Sequence, residues 1–135
     1  MTVLVVHAGV LVVALTGGGA DGCNARTRLR GEDLAAPALV DLDVASVLRR
    51  HTESGLTDVR RASPAVVDRV AMPLRRAPHQ PLLTRAWELR QSLTIYDAAY
   101  VSLVEALQVS LLTTDPRLGR AAGPRSRIEI LSPTR

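Results

Sequence analysis

Three aspartates and one histidine are the residues of this chain whose types and settings could do chemistry. Asp43 lies in Ala36-Pro37-Ala38-Leu39-Val40-Asp41-Leu42-Asp43, Asp97 in Leu93-Thr94-Ile95-Tyr96-Asp97-Ala98-Ala99-Tyr100, and Asp115 in Leu111-Leu112-Thr113-Thr114-Asp115-Pro116. His7 closes the apolar run Val3-Leu4-Val5-Val6. Carboxylates far apart in sequence, each near an element end, can converge on one cleft. Such a cleft offers the oxygen donors that a hard divalent cation takes.

Each residue also has a purely structural reading. Thr94 and Asp97 are spaced as a capping box, so Asp97 can serve the start of a helix. An Asp followed by Pro, as at Asp115-Pro116, is a common helix start. Asp43 is harder to dismiss. At 100° per residue it falls between Val47 and Leu39, inside the apolar arc set by Val40, Val44 and Val47. A carboxylate there is costly unless a metal or an Arg compensates it. Asp41 falls on the opposite flank and reads as a solvated first-turn acid. A lone His such as His7 is more often a satisfied structural group than a ligand, and His51 and His79 read as surface residues. No His or Cys pair has metal-ligand spacing, Gly17-Gly18-Gly19 lacks the Lys and spacing of a phosphate loop, and no Ser sits in a nucleophile-elbow setting.

The elements that must position these side chains alternate. Thr2–Val6 reads as a buried strand and Ala8–Leu15 as a short helix ended by Gly17–Gly19. Asp21 is expected to cap a second helix through Arg30. Leu34–Ala36 reads as a strand, with Pro37 in the first turn of a helix to about Arg50. Ser63-Pro64 reads as the start of another helix. Met72–Arg76 is expected as a third strand and Pro78–Arg90 as helical. Ile95–Leu107 is the clearest amphipathic helix, with Tyr96, Tyr100, Leu103 and Leu107 on one stripe. Val109–Thr113 reads as a strand, Pro116–Ala122 as a short helix and Ile128–Leu131 as a last strand. Strands alternating with helices imply an α/β fold with a parallel sheet covered on both faces, with ligands at the carboxyl ends of its strands.

At 135 residues the chain is expected to form one domain, residues 1–135, with an aliphatic core, since it has no Phe and an aromatic share of 2%. All 17 positive residues are Arg, the net charge is +4 and the pI about 10.5, which favours a polyanion or an acidic partner. A single cysteine, Cys23, excludes an internal disulfide and fits a reducing, cytoplasmic setting. The apolar run from Val3 to Leu15 is too short to span a membrane, no Lys or Arg precedes it, and the glycines after it make a poor cleavage site. No membrane association is expected.

Four segments together resemble a PIN-domain ribonuclease of the VapC toxin type: Val3-Leu4-Val5-Val6-His7-Ala8-Gly9, Ala36 through Arg50, Trp87 through Val101, and Leu111 through Leu118. The resemblance runs in order along almost the whole length. It implies a three-layer α/β/α sandwich, an acidic cluster that binds Mg²⁺ or Mn²⁺ and cuts RNA by metal-assisted phosphodiester hydrolysis, silencing by a VapB-like antitoxin, and a homodimer. On that resemblance Asp43 stands where the family has Glu, and Asp97 and Asp115 match its later acids. Thr113 matches a supporting polar residue. The family's first acid is replaced by His7, which makes His7 a substitute metal ligand, and Gly9 stands where a hydroxyl is usual. Both departures are expected to weaken catalysis and leave the fold intact. Arg90, shortly before Asp97, is the first choice for a contact to the RNA backbone, set against packing on Trp87.

Overall fold

Aliphatic residues with no polar break make Val3–Val6 a buried strand, β1, at the centre of the molecule. The structure is a computed structural model that describes residues 3–121 and 127–132, the side chains of residues 69–71 excepted. After β1 come α1 (Ala8–Thr16), α2 (Gly19–Leu29), β2 (Asp33–Pro37), α3 (Val40–Glu53), α4 (Val59–Ala71) and β3 (Arg75–Ala77). A 3₁₀ turn (Gln80–Leu82), α5 (Leu83–Glu88), α6 (Ile95–Leu107), β4 (Ser110–Thr113), α7 (Pro116–Arg120) and β5 (Arg127–Ile130) complete the order.

The strands form one parallel sheet ordered β3-β2-β1-β4-β5, with Val5 opposite Ala35 on one side and Leu111 on the other. The chain steps outward from β1 to β3, crosses back to β4 and steps outward again to β5. Right-handed crossovers place α1 to α4 on one face and α5 to α7 on the other, giving three layers. Accordingly α1 packs on α2, α3 and α4, while α6 packs on α5 and on β1, β2 and β4. Val5, Val6, Leu111 and Leu112 are fully buried, as are Val10 and Leu11 of α1. The apolar N-terminal run is therefore a central strand and a helix enclosed by neighbours. Among the described residues no helix is long and apolar enough to cross a membrane.

Several local expectations change. Pro37 ends β2, where Ala77 is its partner, and α3 starts only at Val40. The Leu39 N–H is met from a distance, by His79 Nε2 at 2.8 Å. Asp21 lies in the first turn of α2, whose cap is the extended Gly18. Ser63-Pro64 does not open a helix: α4 begins at Val59, Asp58 Oδ1 accepts the Arg60 N–H at 2.9 Å, and Pro64 sits inside. An Asp cap one turn earlier outweighs the bond that Pro64 deletes. The third strand is Arg75–Ala77, displaced toward the chain end. Tyr96 and Leu107 are exposed, so the buried face of α6 is carried by Ala98, Tyr100, Val101 and Val104.

Arg28 of α2 ties the helical layer to the outer strand, donating to Glu129 Oε2 at 2.7 Å and Oε1 at 2.9 Å, and to Glu32 at 2.8 Å. The Arg28 hydrogen bond is the main cause that holds the Glu129 carboxyl below its ordinary value. A depressed folded-state value gives stability that is present above the unfolded value and lost as pH falls through the folded one. Glu129→Gln is expected to destabilise by less than about 1 kcal/mol at neutral pH, because the pair is solvent-exposed. The gap from wild type, read from urea midpoints, should close as pH drops below 4.5; a gap that stays constant into strong acid would refute the assignment.

Candidate active site

Leaving β1 the chain turns to one face of the sheet, and leaving β4 it turns to the other. Diverging connections beside adjacent strands open a crevice at their carboxyl ends. His7 follows β1 directly, and its N–H donates to Leu112 O at 2.9 Å, which holds the two strand ends together. Thr113 is the last residue of β4 and is fully buried. Asp115 follows two residues on.

His7 links the surrounding groups. Its Nε2 lies 3.0 Å from Asp97 Oδ1 and its Nδ1 3.2 Å from Thr113 Oγ1. Thr113 Oγ1 also accepts the Asp115 N–H at 3.1 Å. The Tyr100 ring meets the imidazole edge-on at 4.7 Å between centroids, and the Tyr100 hydroxyl donates to Asp43 Oδ2 at 3.1 Å. In a neutral imidazole, Asp97 takes the Nε2–H and Nδ1 accepts the Thr113 hydroxyl. Asp43, Asp97, Thr113 and Asp115 thus belong to one chain of contacts that passes through His7 and Tyr100.

Local structure explains each placement. Thr94 caps α6, its Oγ1 accepting the Asp97 N–H at 3.1 Å, so Asp97 serves the cap with its backbone and His7 with its side chain. Tyr100 follows Asp97 by three residues, hence on the same helix face. Burial is the main cause that pushes the Tyr100 phenol up, with the Asp43 charge adding to it, so it stays an O–H donor. Asp43 is therefore compensated by Tyr100, where a metal or an Arg was expected. Asp115 caps α7: its Oδ1 accepts the Arg117 N–H at 2.9 Å, and its Oδ2 lies 2.8 Å from the Arg117 guanidinium. The Arg117 hydrogen bond holds the Asp115 carboxyl below the usual carboxylate range.

A Cβ at Gly9 would stand 2.7 Å from Thr114 Oγ1, so Thr114 occupies the room that a side chain at position 9 would need. Arg90 stacks 4.6 Å over the Trp87 ring and donates to Trp87 O, the packing role weighed against RNA contact. The guanidinium beside the acids belongs to Arg117. Sequence reasoning passed over Arg117 and the polar end of Tyr100. The signals were an Arg two residues after a capping Asp and a hydroxyl on a buried stripe.

Fit to the implied Mg²⁺ or Mn²⁺ can be judged from the donor set. Among the described residues no three His, Cys, Asp or Glu side chains form a group that could hold an ion. Asp97 turns to His7, Asp43 to Tyr100 and Asp115 to Arg117. A hard cation needs several oxygens at once, and imidazole is the softer donor. As arranged, these side chains do not fit a bound ion.

The fold is that of PIN-domain VapC structures. VapC20 of Mycobacterium tuberculosis, described as a sarcin-ricin loop cleaving toxin, superposes with a TM-score of 0.67 at 16% identity over 87% of this chain and 93% of its own. VapBC2 from Rickettsia felis, solved bound to a DNA fragment from its promoter, gives 0.66 at 14% identity over 96% of this chain and 98% of that one. No family model matches the chain. Among curated proteins, ribonuclease VapC12 of M. tuberculosis is 37% identical over 82% of this chain and 86% of its own. Ribonuclease VapC1 of the same species is 38% identical over 94% and 96%. VapC ribonuclease Mb0985 of Mycobacterium bovis is 39% identical over 85% and 87%. The chain belongs to the VapC ribonuclease family.

Proposed function

We propose that this protein is a ribonuclease toxin that hydrolyses RNA phosphodiester bonds at the crevice between β1 and β4, and that a VapB-like antitoxin silences it. Membership of the VapC family carries the reading. In the crevice, Asp97 is the candidate general base: His7 ties its Oδ1, leaving Oδ2 for the proton of an attacking water. Thr113 steadies the imidazole from the other side. Tyr100 fixes Asp43, and Arg117, 80% exposed, is placed to meet a phosphate. No step is assigned to Mg²⁺ or Mn²⁺, since among the described residues no three ligating side chains gather for an ion.

One observation favours a second reading. His7 stands at the family's first acid and binds the very carboxylate that should work, which suits a weakened nuclease acting by binding its antitoxin and RNA. Exposed apolar residues on and between α3 and α4, among them Leu42, Leu56, Val59 and Val67, offer surface for an antitoxin or a second copy. The test is RNA cleavage by purified protein with and without Mg²⁺ or Mn²⁺. Asp97→Asn is expected to reduce the rate by roughly a hundredfold or more, as loss of a general base does. Antitoxin binding without cleavage under any condition would favour the second reading.

A further inference from the structure

With one Trp, two Tyr and no Phe, an aromatic ring is a scarce group in this chain. Tyr100 is enclosed, whereas Tyr96 is 69% exposed. Trp87 is exposed too, but its ring already carries the Arg90 guanidinium at 4.6 Å. Among the described residues no hydrogen bond, ion pair or ring contact engages the Tyr96 side chain. Its place matters more than its exposure. Asp97, in the first turn of α6, meets His7 just after β1, so α6 starts at the carboxyl edge of the sheet. Tyr96 immediately precedes Asp97. It also precedes Tyr100 by four residues, which sets it on the same side of α6, one turn or about 5.4 Å nearer the helix start. Tyr100 touches His7 and Asp43 inside the crevice, so Tyr96 stands one turn above them at its mouth. Beyond β4 the mouth is bounded by the exposed Arg117, close enough to Asp97 for that carboxylate to strengthen its hold on its proton.

We propose that the Tyr96 ring is a stacking platform for the nucleobase next to the bond being cut, holding an unpaired RNA strand so that its phosphate lies between Asp97 and Arg117. The inference rests on the ribonuclease reading and assigns that site a base-binding residue. Unpaired RNA presents base faces, and exposed aromatic rings take them by stacking. A nucleotide carries its base and its phosphate on opposite sides of the sugar, which matches a ring and a guanidinium set on either side of one carboxylate. Stacking accepts any base, so Tyr96 supplies position and affinity, while Arg117 meets the backbone. A protein partner fits this spot less well. Around Tyr96 stand Asp97, Asp115 and Arg117, and charged residues are depleted at the centre of protein interfaces. Leu56, Val59 and Val67 offer apolar surface elsewhere.

The experiment compares two single-stranded probes of equal length, one RNA with its bases and one abasic chain with the same phosphates. Binding by the full chain is measured in chelator over a range of salt, for wild type, Tyr96→Ala and Tyr96→Phe. Wild type should hold the base-bearing strand roughly tenfold better than the abasic one, which is about 1.4 kcal/mol and within the range of one base–aromatic stack. Tyr96→Ala should lose that factor on the base-bearing strand and stay within about twofold of wild type on the abasic one. Tyr96→Phe keeps the ring and should match wild type on both. The salt slope should not change in either variant, whereas Arg117→Ala should lower it by about 0.7, the share of one phosphate contact. Cleavage with Mn²⁺ at low RNA concentration should fall with Tyr96→Ala by the same factor as binding. A Tyr96→Ala variant that binds and cuts as wild type does, or that loses both probes equally, overturns the platform alone. So does one that changes only the sedimentation of the protein, which would assign Tyr96 to a contact between copies. Base-dependent binding that Tyr96→Ala abolishes, with no cleavage by wild type, upholds the platform and overturns the ribonuclease reading. A wild type that neither binds nor cuts RNA overturns both.

Discussion

His7→Asp is expected to bind Mn²⁺ at least about fivefold more tightly than wild type. Wild type spends the imidazole on Asp97 at 3.0 Å and Thr113 at 3.2 Å, and among the described residues no three ligating side chains gather for an ion. An aspartate at position 7 removes the partner that holds Asp97 and adds a unit charge to the crevice. At an effective dielectric near 20, a charge about 4 Å from an ion contributes on the order of 4 kcal/mol before desolvation. If a quarter of that survives, affinity changes about fivefold, because about 1.4 kcal/mol is tenfold. The variant should also respond oppositely without metal: two carboxylates side by side repel, so its melting temperature should fall below wild type in chelator and rise with Mn²⁺. Calorimetric titration and thermal melts measure both. Equal Mn²⁺ affinity in the two proteins would show that His7 is itself a competent ligand or lies outside the site.

Much of this crevice was legible in the sequence because its parts are local. A strand of Val and Leu with no polar break has to be buried, and a Thr three residues before an Asp caps a helix. The contacts that join those parts were not legible. His7 and Asp97 are 90 residues apart, and Tyr100 reaches Asp43 across 57. Helical periodicity showed that Asp43 needs a partner, since it lies in an apolar arc, but periodicity cannot say which element provides one. The apolar count along α6 misled at Tyr96 and Leu107, which sit at the exposed ends of a helix whose middle alone faces the sheet. Ser63-Pro64 misled for a related reason: it resembles a helix start, but Asp58 had already supplied one upstream. In the crevice itself, Arg117 and Thr114 matter through where β4 ends and α7 begins, which composition does not reveal.

Tyr100 is expected to carry the largest single-residue stability effect at the site. It is fully buried, heads the largest enclosed side chains, touches His7 with its ring edge and donates its hydroxyl to Asp43. Tyr100→Ala removes a buried aromatic ring and leaves a void under the crevice, which costs about 3–5 kcal/mol for residues of this size. Tyr100→Phe keeps the ring and deletes only the donor. It should cost about 1–2 kcal/mol, near the low end for an acceptor left without its partner, because Asp43 is only partly buried and water can replace the hydroxyl. Combining Tyr100→Phe with Asp43→Asn should cost less than the sum of the two, since both changes break the same bond. Urea unfolding of the single and double variants measures all three quantities. A Tyr100→Phe variant as stable as wild type, with fully additive changes, would mean that the hydroxyl does not hold Asp43, and Asp43 would then depend on another group for its place in the crevice.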